Sequence, residues 1–199
     1  NGEYSKKLLQ INNVEVIAFE PMKKSFMNLK KIKKKFTKQF NCFNIALSDK
    51  VGSKTIYFTN FNSQLASLSV NLKNINFLKN KKFKKQKIKV TTLDTFEKKN
   101  KKLFKKKIDL LKIDTEGNDF KVLKGSIKFI KKYKPKFIQI EMNYHYLFDG
   151  ENLFQFHKLL KNYEIYKILP FNNGLLKIDV NRPENNIFHL SNFVFIKGF

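Results

Sequence analysis

The stretch Asp109-Leu-Leu-Lys-Ile-Asp-Thr-Glu-Gly117 is an apolar run, opened by Ile108, that stops abruptly at two acids and a glycine. A short apolar run bounded by turn formers predicts a buried strand. Strands of this kind belong to a parallel sheet covered by helices, and in such sheets ligands sit beyond the carboxyl ends of the strands. Asp114 and Glu116 stand at that end, and Gly117 lets the backbone turn closely into the next helix. Asp119 begins that helix, where an acid favours the positive end of the dipole.

Outward from this point the same alternation repeats. Leu8, Leu9 and Ile11 follow Tyr4 at helical spacing, and Val14-Glu-Val-Ile-Ala-Phe19 is a strand-like run closed by Glu20-Pro21. Phe26, Leu29 and Ile32 then share one face of an amphipathic helix over 22–36. Cys42-Phe-Asn-Ile-Ala-Leu47 reads as a second buried run ended by Ser48-Asp49, and 54–59 alternates like an exposed strand. From Asn60 to Lys87 the pattern loosens into a long loop with some helix, a feature that in compact domains is commonly functional. Ile88 to Leu93 regains strand character, and 97–107 is a polar helix or its frayed end. Downstream, one helix is expected through Phe120, Val122, Leu123, Ile127 and Ile130, then a strand Phe137-Ile-Gln-Ile140 that ends at Glu141. Leu153, Phe156, Leu159 and Leu160 form another helical face, and the tail alternates short strands with an Asn-rich loop. The fold class expected is therefore α/β, with a mostly parallel sheet and helices on both faces.

The chain of 199 residues, 42% hydrophobic, is one domain in length and sufficient for a real core. No apolar stretch approaches the roughly 18 residues of a membrane span, and a single cysteine, Cys42, forms neither an intramolecular disulfide nor a cysteine zinc cluster. A cytoplasmic location is the default expectation from these features. The net charge of +25 points toward phosphate-rich partners. However, of 41 basic residues only Arg182 is arginine, and recognition of nucleic acid draws heavily on the guanidinium fork. The lysines accompany abundant Asn, Ile and Phe, as codon bias toward A and T would produce, so they are read first as a solvated surface.

Three apolar runs end in acids, at Glu20, at Asp114 with Glu116, and at Glu141, and a fourth ends at Ser48-Asp49. Each acid alone reads as a turn former or helix cap. If the strands are parallel, all of them gather on one rim. Gly2 also lies 18 residues before Glu20. That spacing matches the dinucleotide fold, in which a glycine turn is followed roughly 20 residues later by an acid that accepts hydrogen bonds from both ribose hydroxyls.

Val16-Ile-Ala-Phe-Glu-Pro21, Asn44-Ile-Ala-Leu-Ser-Asp49, Val90-Thr-Thr-Leu-Asp94, and Leu110-Leu-Lys-Ile-Asp-Thr-Glu-Gly117 followed by Val122-Leu-Lys-Gly125 resemble the successive blocks of the FkbM-type S-adenosylmethionine-dependent methyltransferases. Order and spacing agree up to about Asn143. The resemblance implies a Rossmann-like class I methyltransferase sheet that binds S-adenosylmethionine and methylates a sugar or another small-molecule hydroxyl. It places Asn1-Gly2 at the end of the loop under the methionine portion and Glu20 at the ribose. Ser48 and Asp49 would lie beside the adenine, and Asp114 would face the methionine end and the reaction centre. Asp114, Glu116, Glu141 and His145 become the candidate catalytic bases, whereas His157 and His189 have no motif around them. Asp114 and Glu141 could share a metal, but two isolated carboxylates are thin ground for a metal site, and none is expected. The segment 60–87 and the tail would choose the acceptor.

The same resemblance requires a strand before the glycine loop, central in the sheet. Asn1 stands where that strand should already have passed, so residues 1–199 are expected to be a single methyltransferase domain truncated at its N-terminus, weak in cofactor binding by itself. Two other readings share part of the pattern. A nicotinamide-dependent oxidoreductase accounts for Gly2 and Glu20 but not for Ile113-Asp-Thr-Glu-Gly117 or Ala46-Leu-Ser-Asp49. A basic nucleic-acid-binding protein, or a methyltransferase acting on RNA, rests on the lysine runs 30–35 and 79–89, where only Phe83 offers a stacking platform.

Overall fold

The computed structural model describes residues 2–59, 82–104, 107–170, 174–186 and 189–198, with the side chain of Thr59 excluded. Its elements run α1 (Glu3–Leu8), β1 (Val16–Phe19), α2 (Lys23–Lys35), β2 (Phe40–Phe43), β3 (Ala46–Leu47), β4 (Gly52–Thr59), β5 (Phe83–Thr91) and α3 (Leu93–Lys99). They continue as β6 (Leu110–Lys112), α4 (Asp119–Lys124), α5 (Ile127–Tyr133), β7 (Phe137–Met142), α6 (His145–Asp149), α7 (Leu153–Leu159), β8 (Tyr163–Ile168), β9 (Leu175–Lys177) and β10 (Ser191–Lys197). No helix of the described residues is long and apolar enough to cross a membrane.

The fold is α/β, but the expectation of a mostly parallel sheet is corrected. Three ladders are parallel, β1 with β2, β3 with β5 and β6 with β7. Four are antiparallel, β10 with β7, β10 with β8, β4 with β5 and β8 with β9. The antiparallel pairing comes from the tail and from a hairpin-like pair around 60–81. β10 inserts between β7 and β8 and runs antiparallel to both, and β9, which follows β8 in the chain, returns on it. The strands form a two-stranded sheet, a five-stranded sheet ordered β6-β7-β10-β8-β9 and a three-stranded sheet ordered β3-β5-β4.

The main core lies on the five-stranded sheet, where Ile138, Ile140, Phe193 and Phe195 alternate inward under Leu123, Tyr146 and Phe156. A smaller core joins Leu9 and Leu29 to Phe40 and Cys42, so the amphipathic face of α2 packs on β2. β1 and β6, both read as buried runs, are only half-buried along their whole lengths. The reason is topological. β1 ends the two-stranded sheet and β6 ends the five-stranded one, and both strands line a single cavity of about 1270 Å³. Ile17 and Phe19 of β1, Leu111 of β6 and Ile113 just beyond it are among its lining residues.

Three further elements differ from the sequence expectation. The run 42–47 is two strands, because the pairing breaks at Asn44, which stays exposed while its Nδ2 donates to the carbonyls of Glu20 (2.8 Å) and Pro21 (3.0 Å). The helix after Gly117 is broken into α4 and α5 at Gly125-Ser126. A Cβ at Gly125 would meet the Ser48 carbonyl oxygen at 2.0 Å, so the chain needs glycine where α4 abuts the β3 turn. Of the loop expected over 60–87, residues 60–81 lie outside the described residues and 83–87 belong to β5.

Candidate functional site

The ladder between β6 and β7 closes at Ile113, whose N–H donates to Gln139 O at 2.8 Å. Beyond it the chain after β6 leaves the sheet carrying Asp114 and Glu116, while β7 runs on to Met142 and presents Glu141 from within the strand. Asp114, Glu116 and Glu141 each present a carboxylate oxygen within 4.8 Å of the others. Glu116 sits at φ +51 and Gly117 at +92, so the loop makes two consecutive left-handed steps. The second requires glycine, since a Cβ there would come within 2.5 Å of His145 Cβ.

Three carboxylates this close cannot all stay ionised cheaply. Burial, then the charges of Glu141, Asp114 and Asp119, push Glu116 up to about 8. Burial and Asp114 raise Glu141 to about 6. Lys112 offsets part of this charge, because its Nζ lies 2.7 Å from Asp114 Oδ2 while it stacks over the Tyr4 ring. Acidic groups thus outnumber the one lysine in the cluster, and a cation placed beside it would favour the ionised forms of Glu116 and Glu141.

Glu20, at the end of β1, lines the same cavity as Asp114, Glu116 and Glu141. Its Oε1 accepts from Met22 N–H at 2.8 Å, and burial raises its pKa against that bond. Ser48 and Asp49 follow β3, whose Ala46 and Leu47 line the cavity, but neither of the two reaches its wall. Ser48 is fully buried, and its hydroxyl donates to Asp49 Oδ1 at 3.1 Å. Burial would raise the Asp49 carboxyl, but the Ser48 hydroxyl and Lys54, 3.5 Å away, hold it below its ordinary value.

Not every expected residue reaches the cavity. Gly2 caps α1 and packs against Leu29 and Ile32 of α2 instead. His145 is buried behind Gly117, its imidazole pKa lowered by burial, and it does not line the cavity wall. Asn1 lies outside the described residues. Two residues that sequence reasoning passed over also belong to the rim. Asn118 donates from Nδ2 to Leu47 O at 3.1 Å and so ties the Glu116 loop to the β3 turn. Asp119 joins the Glu116 loop to β7 by accepting from the N–H groups of Thr115 and Glu141. The only signal for Asn118 was its place between Gly117 and the helix.

The chain's blocks and their placement agree with one family. The profile described as the methyltransferase FkbM domain matches residues 6–168. The chain belongs to the FkbM methyltransferase family. No curated protein matches it. Among solved structures, methyltransferase FkbM from Methylobacillus flagellatus KT is similar, with a TM-score of 0.57 at 15% sequence identity. That likeness, which concerns the fold, covers 98% of this chain and 40% of the other protein, so the chain spans well under half the length of its FkbM relative.

Proposed function

We propose that this FkbM domain transfers a methyl group from S-adenosylmethionine to a hydroxyl of a small molecule, such as a sugar. The observation that carries the reading is the convergence of Glu20, Asp114, Glu116 and Glu141 on one cavity, where burial and neighbouring acids raise the pKa values of Glu116 and Glu141. A pocket with surplus carboxylate charge fits a cationic donor, and the bound cofactor would supply an electrophilic methyl on positively charged sulfur. Glu20 would hold the ribose with the oxygen not given to Met22. Asp49 would accept from the adenine amine, and Asp114 would face the methionine end.

The protein's remaining task is to align the acceptor hydroxyl and take its proton. Glu116, poised at about 8, matches a base operating near neutral pH, and Glu141 at about 6 is the second candidate. His145 is placed behind the loop rather than against the acceptor.

Calorimetric titration with S-adenosylmethionine across pH 6 to 8.5 tests the proposal. Binding a cation expels protons from raised carboxyls, so affinity should increase with pH through this window. The increase should be smaller for S-adenosylhomocysteine, whose sulfur is uncharged. Affinity that stays flat with pH, preference for a nicotinamide dinucleotide, or steeply salt-dependent RNA binding without cofactor affinity would each overturn it. Labelled S-adenosylmethionine with a panel of hydroxyl acceptors, carbohydrates included, then identifies the substrate class.

A further inference from the structure

Asp119 is completely buried, and its carboxylate is shared between two elements that carry the site. Oδ1 accepts from the Thr115 N–H at 2.8 Å and from the Thr115 hydroxyl. Oδ2 accepts from the Glu141 N–H at 3.1 Å. Its own N–H donates to the Tyr146 hydroxyl of α6 at 3.1 Å. Thr115 lies between Asp114 and Glu116, so one side chain bonds the loop that presents two of the acids and the strand that presents the third.

The register shows what this replaces. Phe137 N–H donates to Asp109 O and Ile113 N–H to Gln139 O, so the next rung of a regular parallel ladder would take Glu141 N–H to the carbonyl of Ile113. That donor goes to Asp119 instead. β6 and β7 can therefore part beyond Ile113, opening room for Glu116 and its loop, while remaining tied at a fixed spacing by a carboxylate rather than by backbone. A buried acid normally serves as a liability unless its acceptor capacity is filled, and here three donors fill it.

We propose that Asp119 is a positioning residue for methyl transfer, setting the separation of Asp114, Glu116 and Glu141 by clamping Thr115 to the end of β7. The inference rests on the function proposed above for what the acids do, but the clamp itself can be tested without cofactor or acceptor. Two variants separate its parts. Asp119→Asn keeps an acceptor for Thr115 and sets an amide donor against Glu141 N–H. Thr115→Val removes the hydroxyl bond while leaving the Asp119 charge and the Thr115-position N–H in place.

Carboxyl-carbon NMR titration of Glu116 and Glu141 is the primary measurement. Both variants should move the two titrations toward ordinary glutamate values, because a loosened rim lets the carboxylates separate. In Thr115→Val this shift cannot come from lost charge. In methyl-transfer assays both variants should lower kcat, Asp119→Asn by tenfold or more, with the pH profile displaced in the same direction as the titrations. Unchanged titrations and an unchanged pH profile, with only a lower melting temperature, would overturn the proposal and leave Asp119 as a structural residue. Shifted titrations in a protein that binds no S-adenosylmethionine would keep the clamp and reject the proposed function.

Discussion

Glu116 combines a left-handed backbone, two acidic neighbours and partial burial, and its raised pKa has a thermodynamic consequence. Between its ordinary value of 4.5 and about 8, the folded chain holds a proton at Glu116 that the unfolded chain releases. Stability therefore falls as pH rises through that window. Glu116→Gln removes the titration while keeping the shape of the side chain. The variant should lose less melting temperature than the native chain between pH 5.5 and 8.5, and at the upper pH it should be the more stable of the two. An equal loss of melting temperature in the two proteins would mean that neither burial nor the neighbouring acids raise the Glu116 carboxyl. At this scale the sequence was informative about identity and silent about geometry. Asp114, Glu116 and Glu141 could each be picked out because a strand-like apolar run stops at them. Asp119 could not, since its function depends on Glu141, 22 residues away, and a helix-starting acid looks the same whether or not it spans two strands.

Among the elements, α5 shows how a motif residue can be structural. Asp94, the last residue of the Val90-Thr-Thr-Leu-Asp94 block, accepts from the N–H groups of Lys128 (3.1 Å) and Phe129 (2.7 Å). It thereby satisfies two otherwise orphaned donors in the first turn of α5, a helix without a cap from its own N-terminal residue. Asp94→Ala should cost about 1–2 kcal/mol, as loss of a helix cap usually does, read as a lower urea midpoint with little change in cofactor affinity. A midpoint unchanged from the native chain would show that solvent caps α5 equally well. Elements were legible where periodicity was long, as in α2 and β7. They were misread where one residue broke the period for a tertiary reason: Gly125 splitting α4 from α5 against Ser48, and Asn44 splitting β2 from β3 to hold Glu20 and Pro21. β5 was cut short because 84–89 is rich in lysine, although the lysines merely occupy its exposed positions.

For the whole molecule, the main consequence is that β1 and β6 leave a slot between two sheets. Ile17, Phe19 and Leu111 are half-buried there and line the cavity. S-adenosylmethionine seated against them, as proposed, should raise the melting temperature by several degrees at saturation. A melting temperature that the cofactor does not move would mean that the cavity does not take it. Sequence reasoning reached this slot only through the family resemblance, since an apolar run such as Val16–Phe19 does not disclose how many neighbours it has. Bare strand margins are also templates on which identical chains can stack. The lysine coat, at a net charge of +25, keeps copies apart while counter-ions are few. At about 0.1 M salt its reach shrinks to roughly 10 Å. Precipitation of this polypeptide should therefore worsen as buffer strength increases, and a low-salt buffer is the one in which it will stay dispersed.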